Sequence, residues 1–176
     1  MKFIPTALSG VTFIELELLK DERGFFARTY CLQEFLKNGL NPRLEQCNIS
    51  YNQKKGTLRG MHFQSAPHAE AKLVRCIRGA IFDVVIDLRP ESATFEQWIG
   101  IELSEKSPQM LYIPEGCAHG FQTLEDNTEV FYQMSYPFVP EAAQGVRWND
   151  ARFKIAWPSG EKIISVKDQN YPLYSR

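Results

Sequence analysis

The sequence lacks the features that mark several specialised classes of protein. It contains no uninterrupted apolar run of the roughly 20 residues that a membrane-spanning helix needs. Its N-terminus, MKFIPT, has no apolar core of the kind found in a signal peptide. A net charge of −1 provides no basic surface for nucleic acid. These absences predict a cytoplasmic protein that binds neither a membrane nor nucleic acid.

Cysteines are few and scattered. Cys31, Cys47, Cys76 and Cys117 show no C-x-x-C spacing, which argues against a structural zinc site and favours reduced thiols in the cytosol. Hydrophobic residues make up 44% of the chain and charged residues 23%, as in an ordinary globular protein. At 176 residues the chain can bury a sizeable core, and we expect one domain, residues 1–176.

Helical periodicity is also scarce. Only Leu32, Phe35 and Leu36 recur at helical spacing, before an Asn38-Gly39 stop signal. Short strands between turns are predicted over much of the rest, at Lys72–Ile77, Ala80–Leu88, Gln97–Leu103, Met110–Ile113 and Thr128–Met134. Many short strands with one or two short helices predict an all-β fold. A double-stranded β-helix, or jelly roll, suits the strand count and the length.

Strand alternation gives two expectations about side-chain direction. Tyr132 shares a face with Val130 and Met134, so it points into the barrel or forms an ordinary core or rim residue. In a regular strand over residues 57–64, Arg59 and His62 would face opposite sides. If both line one cavity, we expect Gly60 to mark a bulge or bend.

Two of the three histidines lie in apolar, glycine-containing stretches. His62 occurs in TLRGMHFQ and His119 in PEGCAHGF. Burying an imidazole is unfavourable unless partners satisfy it, so each is either a functional group or a core histidine bonded to backbone. A two-histidine metal site needs a second imidazole near the first. His62 is followed by Phe63 and Gln64, and His68 lies in a polar loop, so we expect no metal.

The residues around these histidines suit a cofactor-independent proton transfer. A histidine base can remove a proton beside a carbonyl, a tyrosine can act as the acid, and a cation can stabilise the enolate. Lys72 is a candidate cation or part of a solvated strand face, and Arg75 is predicted to face solvent. Asp168 could orient the histidine base, or could be a surface carboxylate near the C-terminus.

Several motifs occur together in a specific order and spacing. They are DERGFF at 21–26, QCNIS at 46–50, GTLRGMHFQ at 56–64, KLVRC at 72–76, DVVIDLR at 83–89, YIPEGCAHGF at 112–121, WP at 157–158 and SVKD at 165–168. On these motifs the chain resembles the dTDP-4-dehydrorhamnose 3,5-epimerase family along essentially its whole length.

The resemblance implies a homodimeric, cupin-type jelly roll that epimerises a nucleotide-linked 4-keto-6-deoxyhexose, without a cofactor, in nucleotide-sugar biosynthesis for cell-surface polysaccharide. It implies that His62 is the general base, Asp168 its orienting carboxylate and Tyr132 the acid on the opposite face. Arg59, Lys72 and His119 match positions that surround the sugar or the diphosphate. Gln46, Asn48 and Phe138 match positions that contact the nucleotide. Arg23 and Phe26 match positions that reach the neighbouring subunit's site.

Two departures from the family pattern fall on the nucleotide side. Arg28 stands where the family commonly has a glutamate that contacts the base, which replaces a hydrogen-bond acceptor by a donor. Pro137 precedes Phe138 where the family has paired aromatics. A CDP- or GDP-linked sugar therefore stays open beside a dTDP-linked one, as do mono-epimerisation and 3,4-ketoisomerisation. Alternatives of another class are a metal-dependent cupin oxygenase and a non-catalytic sugar-nucleotide-binding module.

Overall fold

The computed structural model describes residues 1–175. Over this range the chain forms fourteen β-strands: β1 Lys2–Pro5, β2 Thr12–Glu15, β3 Leu19–Asp21, β4 Gly24–Phe26, β5 Gln46–Asn52, β6 Thr57–Gln64, β7 Lys72–Arg78, β8 Ala80–Asp87, β9 Trp98–Ser104, β10 Gln109–Ile113, β11 Cys117–Thr123, β12 Thr128–Met134, β13 Ala143–Gly145 and β14 Ile163–Ile164. The helical elements of the same range are α1 Leu32–Lys37, α2 Val166–Gln169 and a 3-10 turn at Pro140–Ala142.

Two large sheets face each other. One has the order β1-β2-β10-β7-β12-β5, and the other has the order β13-β6-β11-β8-β9, with β14 added parallel to β6. All other pairings within these sheets are antiparallel. From β7 to β12 the chain passes repeatedly between the two sheets. This architecture is the jelly roll that the strand pattern predicts, and the predicted strands agree with the observed ones to within about two residues.

The main core fills the space between the sheets. Val74, Leu111 and Val130 of the first sheet pack there with Val85 and Leu103 of the second. The outer face of each large sheet is also covered. Helix α1 and neighbouring residues cover the first, and the segment around residues 146–157 covers the second. Because β8 is buried on both faces, it is almost continuously apolar.

The one helix that periodicity predicts is confirmed as α1. Phe35 is its buried residue, and it packs against Phe3 and Tyr112. The backbone N–H of Asn38 closes the last turn, and Gly39 follows with φ of 71°, a conformation that glycine adopts readily. No helix within residues 1–175 is long and apolar enough to cross a membrane.

Candidate active site

A cavity of about 440 Å³ opens between strands of the two large sheets. Its walls come from β5, β6, β7, β11 and β12 and from the C-terminal segment that contains α2. Six residues that the sequence predicts as site residues line it, namely Arg59, His62, Lys72, His119, Tyr132 and Phe138.

A bend in β6 brings Arg59 and His62 into the same cavity, as the sequence predicts. Gly60 has φ of 129°, and the pairing of β11 with β6 shifts register between His119 and Phe121. A Cβ atom on Gly60 would lie 2.5 Å from the Cα atom of Gly120. Glycine is therefore required at this position both by the backbone conformation and by the close approach of β11.

His62 forms a hydrogen-bonded pair with Asp168. The distance from His62 Nε2 to Asp168 Oδ1 is 2.8 Å, and Asp168 Oδ2 accepts the N–H of Gly60 at 3.2 Å. Asp168 is buried, so it is not a surface carboxylate. Burial alone would raise the pKa of its carboxyl, but the hydrogen bond from His62 and smaller contributions from Gly60 and Arg59 hold that pKa below its usual value.

His119 forms a second pair of the same kind with Asp83. Its Nε2 lies 2.7 Å from Asp83 Oδ1, and the Asp83 side chain is fully buried. His119 and His62 are register partners on adjacent strands, so the two pairs stand side by side. Asp83 was not predicted as a site residue, although a carboxylate inside an apolar strand was an available signal. Residues 1–175 contain no group of three His, Cys, Asp or Glu residues placed to hold a metal ion.

Lys72 faces the cavity rather than solvent. Its Nζ atom pairs with Glu70 at 2.9 Å and donates to the carbonyl of His62 at 3.1 Å. Glu70 also accepts the backbone N–H of Gln64 at 3.1 Å, so one buried carboxylate joins the end of β6 to β7. Glu70 was not predicted as a site residue, because its contact with Gln64 of β6 is tertiary.

Tyr132 projects from β12 into the cavity beside the core residue Val130. Burial raises the pKa of its phenol, while Arg59 lowers that pKa and Glu70 raises it by smaller amounts. Arg59 is oriented by a hydrogen bond from its Nε atom to Asn52 at 2.8 Å.

Gln46 and Asn48 lie beside the cavity rather than in its wall. Gln46 Oε1 accepts the backbone N–H of Phe138 at 2.9 Å, and Gln46 Nε2 donates to Asn48 at 2.9 Å. Phe138 itself is half exposed at the rim. These contacts let Gln46 hold the loop that carries the ring of Phe138.

Arg23, Phe26 and Arg28 do not lie in the cavity wall of this chain. Arg23 pairs with Asp21 on the exposed β3–β4 hairpin, and Phe26 projects into solvent from the same hairpin. Arg28 pairs with Glu34 of α1 at 3.1 Å. The predicted contacts of Arg23 and Phe26 stay predictions that require a second chain, and the nucleotide-side role of Arg28 also stays a prediction.

Lys167 and Tyr171 are wall residues that sequence analysis did not select. The ring of Tyr171 stands edge-on to His62, with 5.7 Å between ring centroids. Lys167 adjoins Asp168 in the SVKD motif, which could have drawn attention to it. Nothing in the sequence pattern points to Tyr171.

Comparisons with known proteins identify the family to which the chain is similar. The family model for dTDP-4-dehydrorhamnose 3,5-epimerase matches residues 5–176. A curated dTDP-4-dehydrorhamnose 3,5-epimerase of Methanothermobacter thermautotrophicus is 43% identical over 97% of this chain and 92% of its own. The crystal structure of the Bacillus anthracis enzyme, with TDP and PPi bound, is 40% identical, covers 98% of this chain and 99% of that chain, and has a TM-score of 0.95. A Legionella pneumophila epimerase in complex with dTDP-4-keto-L-rhamnose is 35% identical, with coverage of 98% and 92% and a TM-score of 0.91.

Proposed function

The chain belongs to the dTDP-4-dehydrorhamnose 3,5-epimerase family and is a nucleotide-sugar epimerase, and from this premise we propose that it inverts C3 and C5 of dTDP-4-keto-6-deoxyglucose. One observation carries the proposal: the His62–Asp168 pair, Lys72 and Tyr132 meet in one cavity. A 4-keto group acidifies the protons on both neighbouring carbons, so one base can act at each in turn.

His62 is the base. An ionised carboxylate only accepts hydrogen bonds, so the nitrogen that faces Asp168, Nε2, carries the hydrogen of the neutral ring. The lone pair is then on Nδ1, which removes the proton beside the ketone. The depressed pKa of Asp168 keeps its carboxylate charged, and this charge stabilises the imidazolium that forms.

Lys72 stabilises the enolate. Its ammonium group has three donors, and two are directed at Glu70 and at the His62 carbonyl. The third can be directed at the oxygen on which negative charge develops. Because Lys72 is buried, this interaction is stronger than it would be in bulk water.

Tyr132 returns a proton to the opposite face of the sugar ring. A tyrosine phenol is protonated at neutral pH, and burial raises its pKa further, so Tyr132 can act as the acid. Proton removal by His62 and proton delivery by Tyr132 invert the carbon. Proton exchange with solvent then returns His62 to its neutral form and Tyr132 to its phenol, so the reaction balances without a cofactor.

Solvent exchange tests this mechanism. In deuterated water the enzyme is expected to place deuterium at C3 and C5 of the product. His62→Ala should abolish exchange at both carbons. Tyr132→Phe should retain exchange but invert poorly, because the base still forms the enolate.

Exchange at one carbon would identify a mono-epimerase, and exchange at neither would refute the proposal. An active His62→Ala variant would remove His62 from the role of base.

The identity of the nucleotide is a separate question, because Arg28 and Pro137 depart from the family pattern on the nucleotide side. A ligand that binds only the folded state raises the melting temperature by mass action. We expect dTDP to raise the melting temperature of this protein more than CDP or GDP at equal concentration. A larger shift with CDP or GDP would reassign the nucleotide while leaving the epimerase chemistry in place.

The proposal includes a homodimer in which the β3–β4 hairpin reaches the neighbouring cavity. Phe25 and Phe26 on this hairpin are more than half exposed, and so are Ile49 and Phe138 in the cavity wall. Aromatic side chains that project into solvent favour association with an apolar surface. Sedimentation equilibrium is expected to give the mass of two chains.

Mixed dimers test whether the sites are shared. If Arg23 serves the partner's cavity, inactive His62→Ala and Arg23→Ala chains should regain about one quarter of the wild-type activity after statistical mixing. A dimer without this recovery would mean that Arg23 does not act across the interface.

We also propose a cytoplasmic location. All four cysteines are free thiols, and Cys47 is exposed. Free thiols persist in the reducing cytosol, whereas oxidising compartments favour disulfides. Fractionation of cells that produce the protein would test this location, and recovery outside the cytosolic fraction would contradict it.

A further inference from the structure

The C-terminal segment contacts the base at two places. Asp168 accepts the hydrogen bond from Nε2 of His62, and three residues later Tyr171 places its ring against the imidazole. The two rings are inclined at 65°, an edge-to-face arrangement. A single hydrogen bond fixes one end of an imidazole but leaves the ring free to rotate about the bond. The aromatic contact restricts this rotation.

Gly145 provides the space for the Tyr171 ring. It lies on β13 as the register partner of His62. A Cβ atom on Gly145 would come within 2.5–2.6 Å of three atoms of the Tyr171 ring. Its φ lies outside the left-handed region, so the backbone there does not require glycine. The ring of Tyr171 is the reason for a glycine at this position.

Arg147 fixes the backbone that carries the ring. Its Nε atom donates to the carbonyl of Tyr171 at 2.9 Å, and its backbone N–H donates to the carbonyl of Pro172 at 3.1 Å. The Nζ atom of Lys167 lies 6.0 Å from the centroid of the Tyr171 ring, at the distance of a cation–π contact. The Tyr171 ring thus packs against Gly145, and the backbone at Tyr171 and Pro172 is fixed by Arg147.

We propose that Tyr171, seated on Gly145, is a positioning residue that holds the His62 ring facing Asp168, which in turn fixes the tautomer needed for proton removal. The inference rests on the proposed role of His62 as base. It matters for this site because the His62 side chain is 40% exposed and Asp168 contacts only one of its edges. Tyr171 acts through His62, and its ring rather than its hydroxyl performs this role.

Two variants at position 171 separate the ring from the hydroxyl. Tyr171→Ala removes the contact and is expected to lower kcat about tenfold with a much smaller change in KM, as loss of one aromatic contact in the transition state would predict. Tyr171→Phe keeps the ring, so its kcat should stay close to that of the wild type. Gly145→Ala displaces the ring and should resemble Tyr171→Ala.

Tyr174→Ala is the matched control. Tyr174 belongs to the same C-terminal segment but packs on Phe153, in the cluster outside the second sheet. We expect this variant to lower the melting temperature without changing kcat of the folded enzyme. Equal losses of kcat in Tyr174→Ala and Tyr171→Ala would show that Tyr171 only stabilises the segment, and would overturn the inference.

A spectroscopic measurement keeps the test independent of activity. With ¹⁵N-labelled histidine, the His62 resonances can be identified by their loss in His62→Ala, and their shifts report the tautomer. The wild-type ring should be in the Nε2–H form, and Tyr171→Ala should mix both tautomers. An unchanged single tautomer together with unchanged kcat would refute the role of Tyr171. Absence of solvent exchange in the wild type would refute the proposed function, and the tautomer spectra would still decide this inference.

Discussion

At the scale of the residue, the two histidine–aspartate pairs differ in the hydrogen bonds of the carboxylate and in the exposure of the histidine. Asp168 has both oxygens occupied, by His62 and by the Gly60 N–H. Asp83 has only one oxygen bonded, and its Oδ2 atom is buried without a hydrogen-bond partner in the structure. The better-satisfied carboxylate belongs to the more exposed histidine, which a ligand can reach. This difference supports His62 as the base and His119 as a wall of the cavity.

The charge of Asp168 can be removed with little change of shape. In Asp168→Asn the amide can still bond to His62, but it carries no charge to stabilise an imidazolium and can hold the wrong tautomer. We expect kcat to fall by roughly 10³-fold or more, as in other histidine–carboxylate pairs. Asp126→Asn is the control, because Asp126 is exposed and remote from the cavity wall. Steady-state rates within a few fold of the wild type would contradict the role of Asp168.

The Glu70–Lys72 pair connects stability with chemistry. Glu70→Ala leaves the buried Lys72 ammonium without its carboxylate, and we expect the free energy of unfolding in urea to fall by about 3–5 kcal/mol. The double variant Glu70→Gln with Lys72→Met removes both charges and should recover much of this stability while remaining inactive. If Glu70→Ala unfolds at the wild-type urea concentration, the pair has no stabilising role.

At the scale of the element, alternation left Tyr132 open between the cavity and an ordinary core or rim position. It also required Gly60 to bend β6 if Arg59 and His62 share one site. Tyr132 lines the cavity, and β6 bends at Gly60. The sequence analysis placed no helix at α2, because a four-residue helix has little intrinsic stability, although Ser165 caps it by accepting the N–H of Asp168. The ring of Tyr171 was missed because its seat on Gly145 is a tertiary contact.

The bend in β6 can be tested at Gly60. Gly60→Ala adds a methyl group where Gly120 of β11 leaves no room, at a φ that alanine avoids. Gly160→Ala is a matched control, because Gly160 has φ of 108° and open space around its Cβ position. We expect the control to lose about 1–2 kcal/mol of unfolding free energy, and Gly60→Ala to lose more and to be inactive. Equal losses in calorimetry or urea unfolding would show that the approach of β11 is unimportant.

At the scale of the whole molecule, the cavity is built from segments that are far apart in the sequence. The base is on β6, its carboxylate is on α2 and the acid is on β12. The fold class follows from strand count and alternation, whereas the pairing of these segments depends on which strands become neighbours. Local patterns carry no information about that choice, so the partners of Asp83 and Glu70 became visible only in three dimensions.

Acid sensitivity is a property of the whole fold, and Asp87 accounts for part of it. This fully buried carboxylate at the end of β8 accepts hydrogen bonds from Arg89, Ser92 and Thr94. Burial alone would raise its pKa, but these hydrogen bonds outweigh burial and lower the pKa from 3.8 to about 2. Because the folded pKa is the lower one, the stabilisation is fully present above about pH 4 and is lost as the pH falls towards 2.

A shift of this size corresponds to about 2 kcal/mol of unfolding free energy at neutral pH. We therefore expect the unfolding free energy of Asp87→Asn at pH 7, measured by urea unfolding, to be lower than that of the wild type by about that amount. Between pH 4 and pH 2 the stability of the variant should fall less than the stability of the wild type. The two curves of stability against pH should converge on acidification. Asp168 has a pKa shift in the same direction, so the variant retains some acid sensitivity. Parallel curves over this range would show that Asp87 titrates alike in the folded and unfolded chains, and that its hydrogen bonds do not stabilise the fold through its charge.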